Sequence, residues 1–425
     1  MAREQEHALT AIETDPQPAI PSTATAPIAP ELPAHTLYVM AAACGASAAN
    51  IYYCQPLLGD FARQFGGTAQ QAGMVATAAQ VGYGLGLLLF VPLGDIVERR
   101  RVVLTLVAIC AVLLLATAAA PTLALLIVAQ LLVGITATSS QLLIPLGIDL
   151  TPPERRGHTV GVLMAGLLCG LLLARVVAGF VADHFGGWRT VFLLAAGVMI
   201  VLGLVLRAEL PHRAPTLKMT YGKLMRSLLG LSLHTRNLWP ATLVSGLSFG
   251  SFIGFWTVLS FLMSDYFGRG ASEAGLFGII GLAGAAAAPL AGRVSDRRGP
   301  GFTLLLALLL SMAAFALMWG WVAIASLVIG VLLMDLGVQS IQVAAQAKVI
   351  ALVPEARSRI NTIYMVVRFI GGAAGSAIAA SAWTYAKWPG VCAAAMTGLA
   401  LATAIHFIGT RRERMAINQP VPVAP

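Results

Sequence analysis

The chain consists mainly of long apolar runs, separated by short polar segments. An α-helix rises about 1.5 Å per residue, so a run of roughly 20 residues crosses the hydrocarbon core of a bilayer. Membrane barrels use shorter segments in which apolar and polar residues alternate, and the sequence lacks that alternation. The pattern predicts an all-α polytopic membrane protein, because helices satisfy their own backbone hydrogen bonds in lipid.

Twelve runs can be separated along the sequence, and each predicts one transmembrane helix, called a span below. The turn between the third and fourth spans is marked only by Pro121. In the first half the spans are predicted at 36–58, 72–94, 102–120, 122–149, 159–182 and 189–207. In the second half they are predicted at 238–263, 272–294, 302–322, 324–350, 361–384 and 389–409.

Several residues return at one fixed offset in the second half of the chain. Asp95 and Asp296 lie 201 positions apart. The same offset joins Gln141 with Gln342, Pro153 with Pro354, Glu154 with Glu355, and Arg156 with Arg357. Repetition at one offset over half the chain indicates a duplicated unit.

The duplication divides the chain into five predicted parts. The ends are polar tails, the first of which is rich in Pro, Ala and Thr and is predicted to be disordered. The parts are a cytoplasmic tail at 1–35, a six-helix bundle at 36–207, a basic cytoplasmic loop at 208–237, a second six-helix bundle at 238–409 and a cytoplasmic tail at 410–425.

Charge is scarce and unevenly distributed. Of the 425 residues, 58% are hydrophobic and 11% are charged, with a net charge of +9, whereas soluble proteins carry about a quarter charged residues. The basic residues cluster at the ends of apolar runs, which excludes a nucleic-acid surface and is typical of membrane orientation signals. The loops predicted to lie outside contain only four basic residues, which are Arg63, Arg189, Arg269 and Lys387. Both termini are therefore predicted to be cytoplasmic.

Reactive motifs are not found. The five cysteines form no CxxC pair, so neither a disulfide framework nor a zinc site is indicated. The sequence also lacks HExxH, a phosphate-binding loop and paired acids within the spans. No catalytic residue, metal or cofactor is predicted, although a polytopic membrane enzyme remains a remote alternative.

Three charged residues fall inside predicted spans: Arg175 in span five, Asp335 in span ten and Arg368 in span eleven. A lone charge in the bilayer centre costs at least about 2.5–3.5 kcal/mol on insertion scales. Each is expected to face a water-filled cavity or a partner, and so to handle substrate or protons. Structural pairing between helices is the alternative. Asp335 is the best candidate for a proton carrier.

Span ten carries a polar stripe of Asp335, Gln339, Gln342 and Gln346. Steps of four, three and four residues place the stripe on one helix face, which should point inward. From the helical rise, Gln342 lies at the depth of Arg368 in span eleven, which predicts a hydrogen bond between them.

Further candidates come from the first half of the chain. Gln141 is the repeat counterpart of Gln342. Asn50 and Tyr53 of span one lie near Arg175 in depth, and so does Tyr52. Aromatic residues of this kind are often packing residues, so each is a candidate for the cavity rather than an assignment.

A loop sequence occurs twice, after span two and after span eight. Each copy has an Asp at the membrane edge followed by Arg residues: Pro92-Leu93-Gly94-Asp95-Ile96-Val97-Glu98-Arg99-Arg100-Arg101, and Ala291-Gly292-Arg293-Val294-Ser295-Asp296-Arg297-Arg298-Gly299. With twelve spans and a basic central loop, this arrangement resembles the major facilitator superfamily, in which the loop reads roughly G-x-L-x-D-x-x-G-R-R. The second copy fits well, whereas the first has Val91 and Glu98 at the two glycine positions.

The resemblance implies two pseudo-symmetric bundles that expose a central site to each side of the membrane in turn. It also implies that the loops hold one gating state. The residues carried over for that role are Gly94, Asp95 and Arg99 in the first copy, and Gly292, Asp296, Arg297 and Gly299 in the second.

Three shorter segments look similar to a bacterial branch of drug/proton antiporter-like members. They are Asn50-Ile51-Tyr52-Tyr53-Cys54-Gln55-Pro56-Leu57-Leu58, Asp335-Leu336-Gly337-Val338-Gln339 and Arg357-Ser358-Arg359-Ile360-Asn361-Thr362. Two antiporter motifs differ from the family pattern. Gln130 replaces the Arg of R-x-x-x-G in span four, and Ala174-Arg175 replaces Gly-Pro in span five.

The sequence thus predicts a secondary active transporter of a small organic solute. We expect a monomer in the bacterial inner membrane that works by alternating access, with protons driving export. A uniporter or a proton-coupled uptake symporter of the same fold remains open.

Overall fold

In a computed structural model of the protein, residues 32–213, 219–285, 288–353 and 356–417 are described, and for 282–291 and 412–417 only the backbone is. The predicted N-terminal tail lies outside these residues up to position 31, as do residues 418–425 of the C-terminal tail. The repeat positions Pro354 and Glu355 also lie outside them.

Helices account for nearly all of this part of the chain, and it contains no strand. The central connection holds one further helix, Tyr221–His234, which the sequence analysis did not predict. The spans are formed by Ala34–Ala49 with Leu58–Phe65, Ala69–Ile96, Arg99–Ala118, Leu123–Ala137 with Ser139–Asp149, Arg156–His184, Trp188–Glu209, Leu238–Phe267, Ala271–Ala285 with Ala288–Arg298, Pro300–Gly320, Ile324–Ala351, and Arg357–Ile417, which contains the last two.

The helices of the described residues agree with twelve spans. Nine are each long and apolar enough to cross a membrane. Span one is broken into two helices, and span eight is divided at residues 286–287. Helix Arg357–Ile417 contains spans eleven and twelve, joined by a kink at Ala386 and Lys387. These three features supply the remaining crossings, so the predicted all-α, twelve-helix membrane fold is confirmed.

Span one is broken where the sequence analysis expected a continuous helix. Helix Ala34–Ala49 ends in a tight turn, and residues Gln55–Leu57 form a 3₁₀-helix before Leu58–Phe65 begins. Pro56 has no backbone N–H, and in an α-helix its ring would meet the carbonyl one turn earlier. The chain tightens instead, with hydrogen bonds from Gln55 N to Tyr52 O at 3.1 Å and from Leu57 N to Cys54 O at 3.1 Å.

The repeat seen in the sequence is also a repeat in packing. Gly45 of span one lies against Gly170 of span five, with backbone touching backbone. Gly246 of span seven lies against Gly371 of span eleven in the same way. Both members of the second pair lie at the 201-residue offset from the first. Small residues permit this close approach in lipid, where helix association depends on packing.

The bundle is closed at one end, which holds residues 60–70, 183–188, 265–272 and 384–388, and which we call the closed end. There the first six spans pack tightly on the last six. Thr77 Oγ1 donates to Ser376 Oγ at 3.1 Å, and Ser272 N donates to Asp183 Oδ2 at 2.7 Å. Gly73 sits directly against Ala380. The opposite end, which holds Asp95, Asp149 and Arg357, is called the open end because the spans separate there around a cavity.

Candidate substrate cavity

A cavity of about 510 Å³ lies between the first six and the last six spans. Its lining comes from spans one, two, four, five, seven, ten and eleven. Tyr52 and Asp335 mark its deep end, whereas Ile148, Gln346 and Ser358 mark its reach towards the open end. The volume lies within the roughly 300–1,000 Å³ of small-molecule pockets, whose walls are mainly apolar with a few polar groups.

The polar groups of the cavity are concentrated on span ten. Asp335, Gln339, Gln342 and Gln346 all line it, which confirms that the stripe shares one inward face. At the outer part of the stripe, Gln346 Nε2 donates to Asn361 Oδ1 of span eleven at 2.8 Å. The amides of Gln339 and Gln342 are partly accessible from the cavity.

Arg368 is held rigidly at the wall formed by span eleven. Its Nη1 donates to Ser245 Oγ at 2.8 Å, and its Nη2 donates to Gln342 Oε1 at 3.1 Å. The second bond confirms the one predicted from helix depth. The guanidinium also stacks over the Phe249 ring at 4.1 Å from its centroid. With 3% of its surface exposed, Arg368 presents a fixed positive charge to the cavity.

Gln141 lines the same cavity from span four, so the repeat counterparts Gln141 and Gln342 face one space. Gln141 Nε2 donates to the hydroxyl of Tyr83 at 3.2 Å. The Tyr83 ring packs against Phe369 of span eleven, with centroids 4.4 Å apart. This contact joins the two sides of the cavity near its middle.

Asp335 is the one acidic residue in the described lining of the cavity. It is 1% exposed, and neither of its carboxylate oxygens has a hydrogen-bond partner among the described residues. A side chain at Gly281 of span eight would stand 3.2 Å from Asp335 Oδ2, so the glycine leaves room for the carboxyl group. The charge of Arg175 acts on this carboxyl group across the deep end.

Arg175 lies behind the deep end rather than in the described lining. Its Nε donates to Gln55 Oε1 at 2.7 Å, and its Nη1 to Leu171 O at 3.3 Å. The guanidinium packs on the Trp256 ring at 4.0 Å and on the Tyr52 ring at 4.8 Å. Its Nη2 has no hydrogen-bond partner among the described residues. The two aromatic faces stabilise the cation in this desolvated position.

Asn50 and Tyr53 do not reach the described lining of the cavity. Asn50 Nδ2 lies 3.4 Å from Cys110 Sγ, so its amide faces span three. Tyr53 is half-buried, and the span-one positions that line the cavity are Ala48, Ile51 and Tyr52. The tight turn after helix Ala34–Ala49 sets this orientation, which the sequence analysis did not anticipate.

Two phenylalanines are among the lining residues that the sequence analysis did not anticipate. Phe249 and Phe252 of span seven line the cavity, with ring centroids 5.9 Å apart. Their spacing of three residues is a signal for a shared helix face, but a phenylalanine in an apolar span is indistinguishable from a packing residue until the helix is placed.

The first copy of the repeated loop forms an ion-pair cluster at the open end. Arg99 Nη2 donates to Asp95 Oδ1 at 2.7 Å, and Arg99 Nη1 pairs with Asp149 at the end of span four. Gly94 packs against Leu142. The cluster thus ties span two to spans three and four.

The second copy differs. Asp296 and Arg297 are exposed, and a side chain at Gly292 would meet nothing within 4 Å among the described residues. Gly299 has a φ of 83° and precedes helix Pro300–Gly320. At the repeat offset, Pro300 stands in place of Arg99 and Ile350 in place of Asp149. The cluster of the first copy therefore has no counterpart built from the equivalent residues.

Curated proteins of similar sequence cover nearly the whole chain. It is 38% identical over 388 residues to the putative uncharacterized transporter YgaY of Escherichia coli strain K12, which covers 91% of this chain and 98% of that protein. It is 35% identical over 379 residues to the probable transporter SCO4007 of Streptomyces coelicolor, with 87% of each chain covered.

Solved structures share the fold at low sequence identity. A bacterial homolog of the human lysosomal transporter Spinster, inward-facing and unoccupied, has a TM-score of 0.68 at 16% identity and covers 91% of this chain and 98% of its own. The nucleoside transporter NupG has a TM-score of 0.72 at 12% identity and covers 88% of this chain and 99% of its own.

The family model described as Major Facilitator Superfamily matches residues 40–376 and 238–423. Together with the two transporter relatives and the twelve-helix fold, this match places the chain: it belongs to the Major Facilitator Superfamily and is a membrane-embedded, multi-pass transporter.

Proposed function

We propose that this transporter exports a small organic solute across the bacterial inner membrane in exchange for protons, with Asp335 as the proton carrier. The observation that supports it is the unpartnered carboxyl group of Asp335 at the deep end of the cavity. Transport is favoured over the alternative of a polytopic enzyme, because the curated relatives are named as transporters.

The chemistry of a buried carboxyl group links proton binding to conformation. An ionised carboxylate without hydrogen-bond donors is costly to bury, and a bound proton removes that cost. Water or a polar solute at the deep end stabilises the ionised form of Asp335, and the positive charge of Arg175 favours the same form. The transporter therefore binds the proton and the solute at different stages of one conformational cycle. Exchange of the two requires this alternation.

The cycle also needs a direction. The basic residues cluster at the open end, and we propose that this end faces the cytoplasm. The structure is then an inward-facing state, ready to receive solute from the cell. Closing the open end and opening the closed end would release the solute outside and expose Asp335 to a proton from there.

The charges around the cavity favour an anionic or neutral solute. Arg368 lines the wall, Arg175 lies behind the deep end, and Asp335 is the one acid in the described lining. A cationic solute would have to approach two guanidinium groups with one carboxylate to balance them. An anion would instead meet Arg368 and the amides of Gln339 and Gln342.

The test uses inverted membrane vesicles with an acid interior and a pH-sensitive dye inside. Candidate solutes are added one at a time to the parent protein, to Asp335→Asn and to Asp265→Asn. Asp265 is the matched control because it lies at the closed end, paired with Lys387 at 3.0 Å. We expect solute-dependent loss of internal protons in the parent and in Asp265→Asn, and none in Asp335→Asn.

The other outcomes separate the alternatives. Proton loss that persists in Asp335→Asn would keep exchange and assign the proton to another group. Equilibration of a radiolabelled solute across the vesicle membrane without proton movement would favour a uniporter. In vesicles preloaded with the solute, solute and protons leaving together would favour an uptake symporter.

A further inference from the structure

The helix Tyr221–His234 of the central connection, called the loop helix, has leucines both on its buried side and on its exposed side. Leu224 and Leu228 are 1% and 3% exposed and pack against the spans. Leu229 and Leu233, one turn apart, are 61% and 67% exposed. At 100° per residue, the exposed pair is centred about 140° from the buried pair, so these two leucines point away from the spans, on the side of the helix that the described residues leave uncovered.

Basic residues border this uncovered apolar face. Lys223 and Arg226 are exposed, and at 100° per residue Arg226 lies within about 60° of both exposed leucines. Arg236 follows shortly after its end and is exposed too. The loop helix itself contains no acidic residue, so the charges it carries next to the exposed leucines are positive.

Three hydrogen bonds hold the loop helix against three spans. The Tyr221 hydroxyl donates to Leu89 O of span two at 3.0 Å. Arg359, at the start of span eleven, donates to Ser227 Oγ. Trp239 Nε1 of span seven donates to Ser232 O at 3.1 Å. Because span two ends at Ile96 and span eleven begins at Arg357, these bonds place the loop helix at the level where the spans leave the membrane.

We propose that the uncovered face of the loop helix binds the anionic phospholipid surface of the adjacent leaflet. Leu229 and Leu233 enter the boundary between headgroups and acyl chains, while Lys223 and Arg226 contact lipid phosphates. An amphipathic helix with basic residues beside its apolar face lies in this interface, and anionic headgroups attract each nearby Lys or Arg. A soluble protein partner would not require the helix to be fixed at membrane level.

Lipid binding here has a consequence for the spans. The loop helix is bonded to span two on one side of the cavity and to span eleven on the other. A lipid surface that holds the loop helix therefore restrains both spans at the open end.

The experiment measures lipid contact directly in the full-length protein. A bimane label is attached at Leu229→Cys in a Cys169→Ser background, because Cys169 is the exposed one of the five cysteines. The labelled protein is reconstituted in phosphatidylcholine vesicles that contain a minor fraction of phosphatidylglycerol. Bromine, which quenches bimane on contact, is carried either by the phosphatidylcholine or by the phosphatidylglycerol.

We expect the brominated phosphatidylglycerol to quench more strongly per molecule than the brominated phosphatidylcholine. The preference should fall about fivefold for each of Lys223→Gln and Arg226→Gln, and should be unchanged in Arg269→Gln, a charge-matched control at the closed end. Equal quenching by both lipids in the parent would overturn the preference for anionic lipid. A label that neither lipid quenches, and that aqueous iodide does quench, would show a face turned to water or to a soluble partner, and would overturn the proposal altogether.

Discussion

At the scale of single residues, Arg368 combines a charge with a fixed geometry. Its two donors point at different acceptors, Ser245 Oγ and Gln342 Oε1, and its flat face rests on Phe249. A lysine keeps the charge but has neither the planar fork nor the stacking surface. The pair Arg368→Lys and Arg368→Gln therefore separates charge from geometry.

For an anionic solute, we expect Arg368→Gln to raise the KM for transport by roughly 10- to 100-fold, because a charge-assisted hydrogen bond contributes about 1.5–3 kcal/mol. Arg368→Lys should raise the KM by less, since the positive charge remains. The measurement is initial uptake of labelled solute into inverted vesicles at equal protein levels. Equal KM values in both variants and in the parent would show that Arg368 does not bind the solute.

The site was predictable from the sequence where helical periodicity alone determines it. Asp335, Gln339 and Gln342 share a face because of their spacing, and the bond from Arg368 to Gln342 follows from depth along two neighbouring helices. Tyr52 and Asn50 were not separable in this way. They are two residues apart, and the tight turn that ends helix Ala34–Ala49 decides which of them faces the cavity.

At the scale of helices, the glycine pairs carry the close packing of the duplicated unit. Gly371 lies with its Cα against the backbone of Gly246, so a branched side chain there forces spans seven and eleven apart. Gly197 of span six is the matched control, because a side chain there would meet nothing within 4 Å among the described residues.

We expect Gly371→Val to lower the free energy of unfolding by about 1–3 kcal/mol or more, the usual cost of overpacking a core. Gly197→Val should change it little. The measurement is thermal unfolding of the purified protein in detergent, followed by tryptophan fluorescence. A melting temperature for Gly371→Val that matched the one for Gly197→Val would contradict the role of this contact.

The positions of the spans were largely predictable, because apolar length and the Arg clusters mark their ends. Two features were not. The break in span one depends on a single proline within an otherwise apolar run. The loop helix lies in the basic stretch 208–237, where short amphipathic periodicity is a weak signal beside the long spans. The positions of spans two and eleven beside this helix determine which of its leucines are buried and which are exposed.

At the scale of the whole molecule, one end of the bundle is closed and the other is open, which is what the proposed alternating access requires of one of its states. The closed end is held by small and polar residues in contact, among them Thr77 with Ser376 and Gly73 with Ala380. Such contacts separate without exposing a large apolar surface to water, so the state can open at a modest free-energy cost.

The balance between the closed and the separated state of this end can be tested at Gly73, because a larger side chain there collides with Ala380 of span eleven. We expect Gly73→Leu to disfavour the state with the closed end shut and to populate a state in which that end is separated. Spin-label pairs report both ends in the Cys169→Ser background: Gln71→Cys with Tyr385→Cys at the closed end, and His158→Cys with Arg297→Cys at the open end. All four positions are exposed.

The distance at the closed end should lengthen in Gly73→Leu and the distance at the open end should shorten, because rigid bundles that rock about a central cavity move their two ends in opposite directions. Gly197→Leu, with open space around it, should leave both distances as in the parent. A closed end that lengthens while the open end keeps its distance would indicate local distortion of spans two and eleven, and would argue against rocking as the way in which this transporter exposes its cavity.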